Sequence, residues 1–278
     1  MATNTVPLRR VLPAAGTYVR DLWNRREFAW YLALGNLKAR NASTTLGLVW
    51  WVLNPLLLGG IYGLVFGVIL DVRRGVDDYI AYLLAGIFPF YYVRSAMTGG
   101  VNSIIGNTKL IANLRFPRMI LPFSALVESA VGFVASLAVF YAIAGPLQGV
   151  WPGRSVVWLL PAFIIITVFN LGMSALVARI AVPFRDVNNL VPYLARLWLY
   201  LSPVIYPVTF LEQNLSGSLE IVLKANPLFP ILAMFRHALM GLPMGRDDVV
   251  LATAWAVATM IIGVGLFVRY ESRMTRYL

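Results

Sequence analysis

The residues most able to do chemistry in this 278-residue chain are the few charges that interrupt its apolar stretches. Arg94, Glu128 and Arg196 each lie inside a run of hydrophobic residues about as long as a membrane-crossing helix. A charge at that depth is energetically costly, so it marks either a transport pathway or a structural ion pair. For Glu128, the ion-pair interpretation would require Arg94 or Arg196 as the partner, and both interpretations stay open.

Several familiar kinds of active site are disfavoured by the residue types present. The chain has no cysteine and a single histidine, His237, which leaves little from which to build a thiolate metal site or a serine–histidine relay. It contains no G-x-x-x-x-G-K-[ST] phosphate loop, so it cannot hold ATP in that way. We therefore expect no catalytic residue, no metal ligand and no cofactor of its own in this chain.

Composition places the chain among membrane proteins. Hydrophobic residues make up 59% of it and charged residues 13%, which is about half the charged share of a soluble domain. The net charge of +11 is spread between apolar runs and is not gathered on one soluble segment. That spacing argues against nucleic acid as a partner.

Six apolar stretches reach the length of about 20 residues that a helix needs to cross the hydrocarbon core. They cover residues 47–70, 79–105, 120–145, 156–178, 188–211 and 249–268. A further stretch over residues 225–244 is broken by Pro227, Pro230 and Pro243 and contains Arg236, so we interpret it as a re-entrant helical hairpin before the last span. The predicted fold class is an all-α integral membrane protein with six transmembrane helices.

Charge asymmetry predicts the orientation of these spans. With both termini on one side, that side holds far more arginine and lysine than the other, and the positive-inside rule makes it the cytoplasm. Residues 1–46 then form a cytoplasmic N-terminus, residues 47–269 the transmembrane domain and residues 270–278 a cytoplasmic tail. Thr17 to Arg40 mixes aromatic with basic residues, which is typical of an amphipathic helix at the inner membrane surface.

The predicted cytoplasmic segment over residues 106–117 joins the second and third spans. Its sequence favours a short helix that ends near Phe116-Pro117, because the residue before a proline is disfavoured in a helix. Its apolar residues fall on roughly one face, so the segment resembles a knob that docks in a groove of a soluble partner. An ordinary connecting loop is the alternative. The residues of the predicted contact are Asn107, Lys109, Leu110, Ile111, Leu114 and Arg115.

Short motifs in a fixed order resemble those of ABC-2 type permeases of the polysaccharide and teichoic-acid exporter family. In chain order they are Asn36-Leu-Lys-Ala-Arg40, Thr45-Leu-Gly-Leu-Val-Trp-Trp51 with Asn54-Pro55, Lys109-Leu-Ile111 with Phe116-Pro117, Phe184-Arg-Asp186, Ser202-Pro-Val204, and Asn226-Pro227 with Arg236. The resemblance covers nearly the whole chain. One departure is Asn41, which stands where the family often has an aromatic residue.

The resemblance implies a homodimer of permeases bound to two copies of a cytoplasmic ATPase subunit, which would carry ATP and magnesium. The cargo would be a polysaccharide linked through pyrophosphate to a polyprenyl lipid, such as an O-antigen, a galactan or a teichoic-acid-like polymer. Residues 106–117 would be the coupling helix on the ATPase, and the complex would span the cytoplasmic (inner) membrane.

Basic residues before the first span are candidates for binding the lipid pyrophosphate. Arginine suits this role because its planar guanidinium matches the geometry of phosphate oxygens. Simple anchoring of the chain to the inner membrane surface is the competing role. The candidates are Arg20, Arg25, Arg26, Lys38 and Arg40.

Aromatic residues in three of the spans form a second candidate site. Aromatic rings stack on the C–H faces of sugars without requiring one fixed pattern of hydroxyl groups, which suits a conduit for a repeating polymer. Packing or membership of an interfacial aromatic belt is the competing interpretation for each residue singly. The residues are Trp50, Trp51, Tyr62, Phe66, Phe88, Tyr91, Tyr92, Trp198, Tyr200 and Tyr206.

Two other functions are compatible with the sequence. An ABC-2 permease for a small drug or a lipid would have the same fold. A membrane enzyme that processes polyprenyl phosphate would need clustered acids near the cytoplasmic face to hold magnesium. The acids there are widely scattered, at Asp21, Glu27, Asp186 and Glu271.

Overall fold

The computed structural model describes residues 15–42, 45–69, 78–114, 116–208 and 225–274, and over these residues the chain is helical without any strand. The α-helices are α1 (Ala15–Asn24), α2 (Arg26–Ala42), α3 (Trp50–Tyr62), α4 (Tyr79–Ile105), α5 (Thr108–Asn113), α6 (Ile120–Gln148), α7 (Leu159–Ala181), α8 (Val187–Leu201), α9 (Leu228–Met240) and α10 (Arg246–Met274). Short 3-10 turns precede α3 and α7, and a π-helical turn over Gly63–Ile69 extends α3.

The all-α membrane fold predicted from the sequence is confirmed. Among the described residues, four helices are long and apolar enough to cross a membrane, namely α4, α6, α7 with its preceding turn, and α10. Helix α3 and its π-helical turn occupy the predicted first span as a shorter apolar helix, except for Leu70, which is not among the described residues. The number of six spans stays a prediction.

The predicted fifth span, residues 188–211, is wrong at its C-terminal end. Helix α8 ends at Leu201, and Ser202 already has an extended backbone with ψ of 148°. Pro203 explains the break, because a proline disfavours the helical conformation in the residue before it and has no N–H to donate. The apolar run continues through the break, so hydropathy alone gave no sign of it; residues 209–211 fall in a part of the chain that the structure does not describe.

Two other predicted segments differ in detail. The N-terminal segment predicted as one amphipathic helix forms two helices, α1 and α2, which are separated at Arg25. The predicted re-entrant hairpin contains one helix, α9, which ends where Gly241 adopts a left-handed conformation with φ of 73°. The segment before α9, residues 209–224, is not described, so a second arm of the hairpin stays a prediction.

Helix α4 is the centre of the bundle. Its apolar stretch is 78% buried, whereas those of the other three long helices are 22–28% buried. Helices α7 and α10 approach each other backbone to backbone, since a Cβ atom on Gly172 would collide with the backbone of Thr259 and one on Gly263 with the carbonyl of Gly172. Such glycines let membrane helices pack closely.

The bundle has two chemically different ends. Helices α1, α2 and α5 and the C-terminal part of α10 meet at one end, where Tyr18, Ile111 and Phe267 share an apolar cluster. We call this the basic end. The opposite end holds the start of α4 and the start of α10 with Asp78, Asp247 and Asp248, and we call it the acidic end.

Candidate transport site

A cavity of about 720 Å³ lies between α2, α3, α4 and α6. Along α4 its wall extends from Asn102 to Phe88, which is about 21 Å of helix at a rise of 1.5 Å per residue. Asn36 and Leu37 of α2 form its mouth at the basic end, together with Asn107. The volume is within the range of small-ligand sites in proteins.

One wall of the cavity is a polar stripe along α6. Ser124, Glu128, Gly132 and Ser136 recur every four residues, so they lie on one face of the helix and line the cavity together. The spacing is visible in the sequence, but Glu128 is the only member of the stripe that was predicted from it. Helix α4 supplies the facing polar groups, which are Arg94, Ser95, Thr98, Asn102 and Ser103.

Most hydroxyl groups of these walls donate their hydrogens to their own helices, whereas Ser95 of α4 forms a hydrogen bond with Ser129 Oγ of α6 at 3.1 Å. Thr98 Oγ1 donates to the Arg94 carbonyl at 2.9 Å, and Ser136 Oγ donates to the Gly132 carbonyl at 3.0 Å. The lone pairs of the hydroxyl oxygens are therefore what these side chains offer to a ligand. The walls consequently favour a ligand that brings its own hydrogen-bond donors.

Arg94 and Glu128 place one cation and one carboxylate in the same cavity. Both side chains are half-buried, and the guanidinium carbon of Arg94 lies 5.3 Å from the centroid of the Tyr91 ring. Arg196 is exposed on α8 and is not part of the cavity wall. Of the three charges singled out from the sequence, the structure thus brings two together.

Four of the predicted conduit aromatics line the cavity: Trp50, Phe88, Tyr91 and Tyr92. Tyr62 of α3 interacts with Tyr91 and, more weakly, with Tyr200 of α8, but neither Tyr62 nor Tyr200 lines the cavity. The four lining residues come from α3 and α4.

The remaining predicted aromatic residues either do not line the cavity or have side chains that the structure does not describe. Neither Trp198 nor Tyr206 lines the cavity. Trp198 donates its indole N–H to Asn226 Oδ1 at 2.9 Å, and Tyr206 donates its hydroxyl to the Tyr200 carbonyl at 3.0 Å. The side chains of Trp51 and Phe66 lie outside the described part of the structure.

A stack of aromatic rings lies beside the cavity near its acidic-end limit, and the cavity itself reaches one turn further, to Phe88 on α4 and Ser136 on α6. The rings of Tyr92 and Phe133 are 4.7 Å apart and nearly parallel, and Phe163 continues the stack at 6.0 Å from Phe133. Phe235 of α9 meets Phe133 edge-on at 5.4 Å. We call these four rings the roof. Phe133 and Phe163 carried no sequence signal that distinguished them from ordinary core residues.

The predicted lipid-pyrophosphate residues lie at the basic end, on or next to α1 and α2. Arg20, Arg25, Arg26 and Lys38 have exposed side chains, whereas the side chain of Arg40 is not described. Helix α2 can lie against the bundle because its inner face carries the buried residues Ala29, Ala33 and Leu37. Lys38 therefore follows directly after the residues that form the mouth.

The coupling segment presents a smaller apolar surface than the sequence predicted. Ile111 is 8% exposed and packs, together with Leu110, against the cluster that contains Tyr18 and Phe267. Leu114 is 51% exposed, and Lys109 is also exposed. The prediction that Ile111 faces a partner is therefore wrong in this subunit, because its side chain belongs to the core of the basic end; Arg115 is among the residues not described.

Asn107 links the coupling segment to the cavity. Its Nδ2 donates to the carbonyl of Ser103 at 2.8 Å, and both residues line the cavity. Asn107 therefore connects the start of α5 to the cavity wall at the basic end.

Glu271 joins three distant segments at the basic end. Its Oε2 accepts a hydrogen bond from the Tyr18 hydroxyl at 2.6 Å, and its Oε1 accepts one from the backbone N–H of Arg118 at 2.6 Å. The guanidinium of Arg118 donates to the Glu271 carbonyl at 2.6 Å. Burial and the neighbouring carboxylate raise the pKa of Tyr18, so its phenol keeps its proton and remains a donor at neutral pH.

Removing this carboxylate should release α1 from the bundle. We expect Glu271→Ala to lower the free energy of unfolding by about 1–3 kcal/mol, since two donors lose a shared acceptor. Limited proteolysis within α1 and thermal unfolding in detergent measure the effect. Glu27→Ala is the matched control, because Glu27 is an exposed acid at the same end. Equal protease resistance of the two variants would contradict the assignment.

An apolar helical bundle that encloses a polar, aromatic-lined cavity is compatible with a membrane subunit of a transporter. Comparison with known families agrees with this class. The chain belongs to the ABC-2 type transporter family, whose profile matches residues 28–240. Members of this family are the membrane subunits of transporters and generally work with a separate cytoplasmic ATPase.

Three relatives resemble the chain over most of its length. The O-antigen export system permease protein RfbA of Myxococcus xanthus is 31% identical over 219 residues, which cover 78% of this chain and 82% of that protein. A protein of the same name from Klebsiella pneumoniae is 25% identical over 87% of this chain and 92% of its own length. The capsule polysaccharide export inner-membrane protein BexB of Haemophilus influenzae is 22% identical over 76% of this chain and 78% of its own.

Proposed function

We propose that this chain is the transmembrane permease subunit of an ABC exporter that moves a polyprenyl-pyrophosphate-linked polysaccharide out of the cytoplasm. Two copies of the permease and two copies of a separate ATPase, which binds ATP and magnesium, form the working complex. The names of the relatives, which are O-antigen and capsule export permeases, support this class of cargo.

The observation that carries the proposal is the chemistry of the cavity wall. Sugars present hydroxyl groups and C–H faces. The cavity wall matches them with hydroxyl oxygens that accept hydrogen bonds, with amide groups and with aromatic faces. Arg94 offers a cation to an acidic or phosphorylated group, and the exposed cations of α1 and α2 offer the same at the mouth. An apolar drug or a simple lipid would leave this polar wall without partners.

The experiment that tests the cargo is depletion of the permease in its own cells. We expect a polyprenyl-pyrophosphate-linked polysaccharide to accumulate inside the cells, where extraction and mass spectrometry identify it. Unchanged lipid-linked glycans, together with accumulation of a small amphiphile, would instead support the drug or lipid permease.

The proposal places the basic end in the cytoplasm and the acidic end outside. Because the chain has no cysteine, single cysteines report this directly. We expect Asp78→Cys to react with a membrane-impermeant maleimide in intact cells and Lys109→Cys to react only after permeabilisation. Both native side chains are accessible to solvent. The reverse pattern would overturn the orientation.

A further inference from the structure

Helix α8 ends at Leu201, and the carbonyl groups of the buried residues that follow it need donors. Ser202 and Val204 are 0% exposed and Ile205 is 5% exposed, so water does not reach this segment. The last turn of a helix leaves carbonyls without partners in the helix itself, and an unsatisfied carbonyl is costly in an apolar environment. Other parts of the chain must therefore supply the hydrogen bonds.

Side chains from α4, from α9 and from Asn226, two residues before α9, supply these bonds. Arg236 Nη2 donates to the carbonyls of Pro203 and Val204, the second at 3.2 Å. The Tyr79 hydroxyl donates to the Ile205 carbonyl at 2.9 Å.

Asn226 completes the set of donors. Its Nδ2 donates to the Leu201 carbonyl at 3.2 Å and to Ser202 Oγ at 2.8 Å. Three motifs that are separate in the sequence, Ser202-Pro-Val204, Asn226-Pro227 and Arg236, therefore meet at one place.

The guanidinium of Arg236 is fixed from a second direction by α4. It lies 3.6 Å from the centroid of the Tyr82 ring, and Arg236 is only 4% exposed. Gly86 provides the space, since a Cβ atom there would lie 2.9 Å from the Val204 carbonyl oxygen and 3.0 Å from Arg236 Nη2. We call Tyr79, Tyr82, Asn226 and Arg236 the clamp.

The clamp lies beyond the acidic-end limit of the cavity, since Gly86 comes two residues before Phe88, where the lining of the cavity on α4 ends. Phe235, the residue before Arg236, is the ring of the roof that packs edge-on against Phe133 of the cavity wall. A movement of residues 202–205 away from α4 would release Arg236 and so loosen the neighbouring Phe235 at the roof.

We propose that Arg236 is a gate-positioning residue: through the clamp it holds residues 202–205 against α4 and keeps the cavity closed toward the acidic end. This inference rests on the proposed function only in taking the acidic end as the exit. Residues 202–205 are held by side chains from other parts of the chain and not by the backbone hydrogen bonds of a helix. Breaking these few side-chain hydrogen bonds therefore releases the segment. Arginine is required because lysine cannot donate to two carbonyls while stacking flat on Tyr82.

The test uses Val204→Cys as a reporter in the otherwise cysteine-free chain. In membranes without ATP, we expect an impermeant maleimide to label Val204→Cys slowly when the clamp residues are unchanged. Arg236→Lys and Tyr82→Leu should label about tenfold faster per permease molecule, the factor that corresponds to 1.4 kcal/mol. Tyr82→Phe keeps the ring under Arg236 and loses only the 3.5 Å hydrogen bond to the Tyr206 carbonyl, so its increase should be smaller.

Two glycine variants separate a gate from a merely structural contact. Gly86→Ala removes no donor and pushes the Val204 carbonyl away from α4, so it should also speed labelling. Gly265→Ala is the control, because no atom lies within 4 Å of a Cβ atom there. A purely structural role would lower the melting temperature of the permease together with any gain in labelling rate, whereas release of a gate speeds labelling at an unchanged melting temperature.

Wild-type labelling rates in Arg236→Lys, Tyr82→Leu and Gly86→Ala would overturn the inference. If Arg236→Lys does not accumulate, the comparison of Gly86→Ala with Gly265→Ala decides the question alone. Labelling needs neither cargo nor ATPase, so its outcome is independent of the cargo assignment. Failure of the wild type to export polysaccharide would count against the proposed function and not against the clamp.

Discussion

Replacing Gly132 by tryptophan is expected to stop polysaccharide export while the permease still folds and retains its ATPase. Gly132 belongs to the polar stripe of α6 and lines the cavity, and no atom lies within 4 Å of a Cβ atom built on it. A large side chain at this position therefore fills the cavity without displacing the packed core. Export measured as surface polysaccharide should fall to background, and lipid-linked polymer should accumulate inside the cells.

Matched variants distinguish a blocked cavity from a folding defect. Gly132→Ala adds one carbon in open space and should leave export near the wild-type level. Gly265→Trp places the same bulky ring on α10, where there is also no neighbour within 4 Å. Normal export by Gly132→Trp would mean that the cavity is not the route of the polymer.

The second large effect is expected at Leu114, the exposed apolar residue of the coupling segment. Leu114→Asp should abolish retention of the ATPase, because a charge buried at the interface without a partner costs about 3 kcal/mol or more. That corresponds to a loss of affinity of more than about a hundredfold. Co-purification of the ATPase with the detergent-solubilised permease measures the loss, and export should fail with it.

Two further variants make the interpretation of Leu114→Asp specific. Leu114→Met keeps an apolar side chain of similar volume and should retain the ATPase. Leu110→Asp should reduce the amount of folded permease, because Leu110 packs into the apolar cluster of the basic end. Undiminished binding and export by Leu114→Asp would remove this segment from the coupling mechanism.

The sequence predicted the long helices well because a helix that crosses a membrane must be apolar over the thickness of the bilayer. Its length and its hydropathy can both be read from the sequence. The predicted second span coincides with α4, Tyr79–Ile105, and the predicted third span begins with α6 at Ile120. The end of α8 was missed because the apolar run continues past Pro203, the residue that breaks the helix, and the spans were placed by hydropathy and length. Arg236 and Tyr79 satisfy carbonyls that hydropathy does not register.

The sequence predicted which types of residue line the candidate site better than it predicted how those residues are arranged. Aromatic residues of the second span do line the cavity, and Arg94 and Glu128 share it. The face that a residue such as Ile111 presents depends on which helices pack against it, and no local pattern contains that information. Glu271 was equally hidden, since its partner Tyr18 is 253 residues away in the chain.

The most direct test of the proposed function is transport by inside-out membrane vesicles that contain the permease and its ATPase. Radiolabelled polyprenyl-pyrophosphate-linked polysaccharide is supplied outside, and a glycosidase added after the reaction digests what has not been transported. We expect protected polymer inside the vesicles only with ATP, and none with Gly132→Trp. ATP-independent protection, or the absence of protection with the wild-type complex while a small amphiphile is transported, would contradict the proposal.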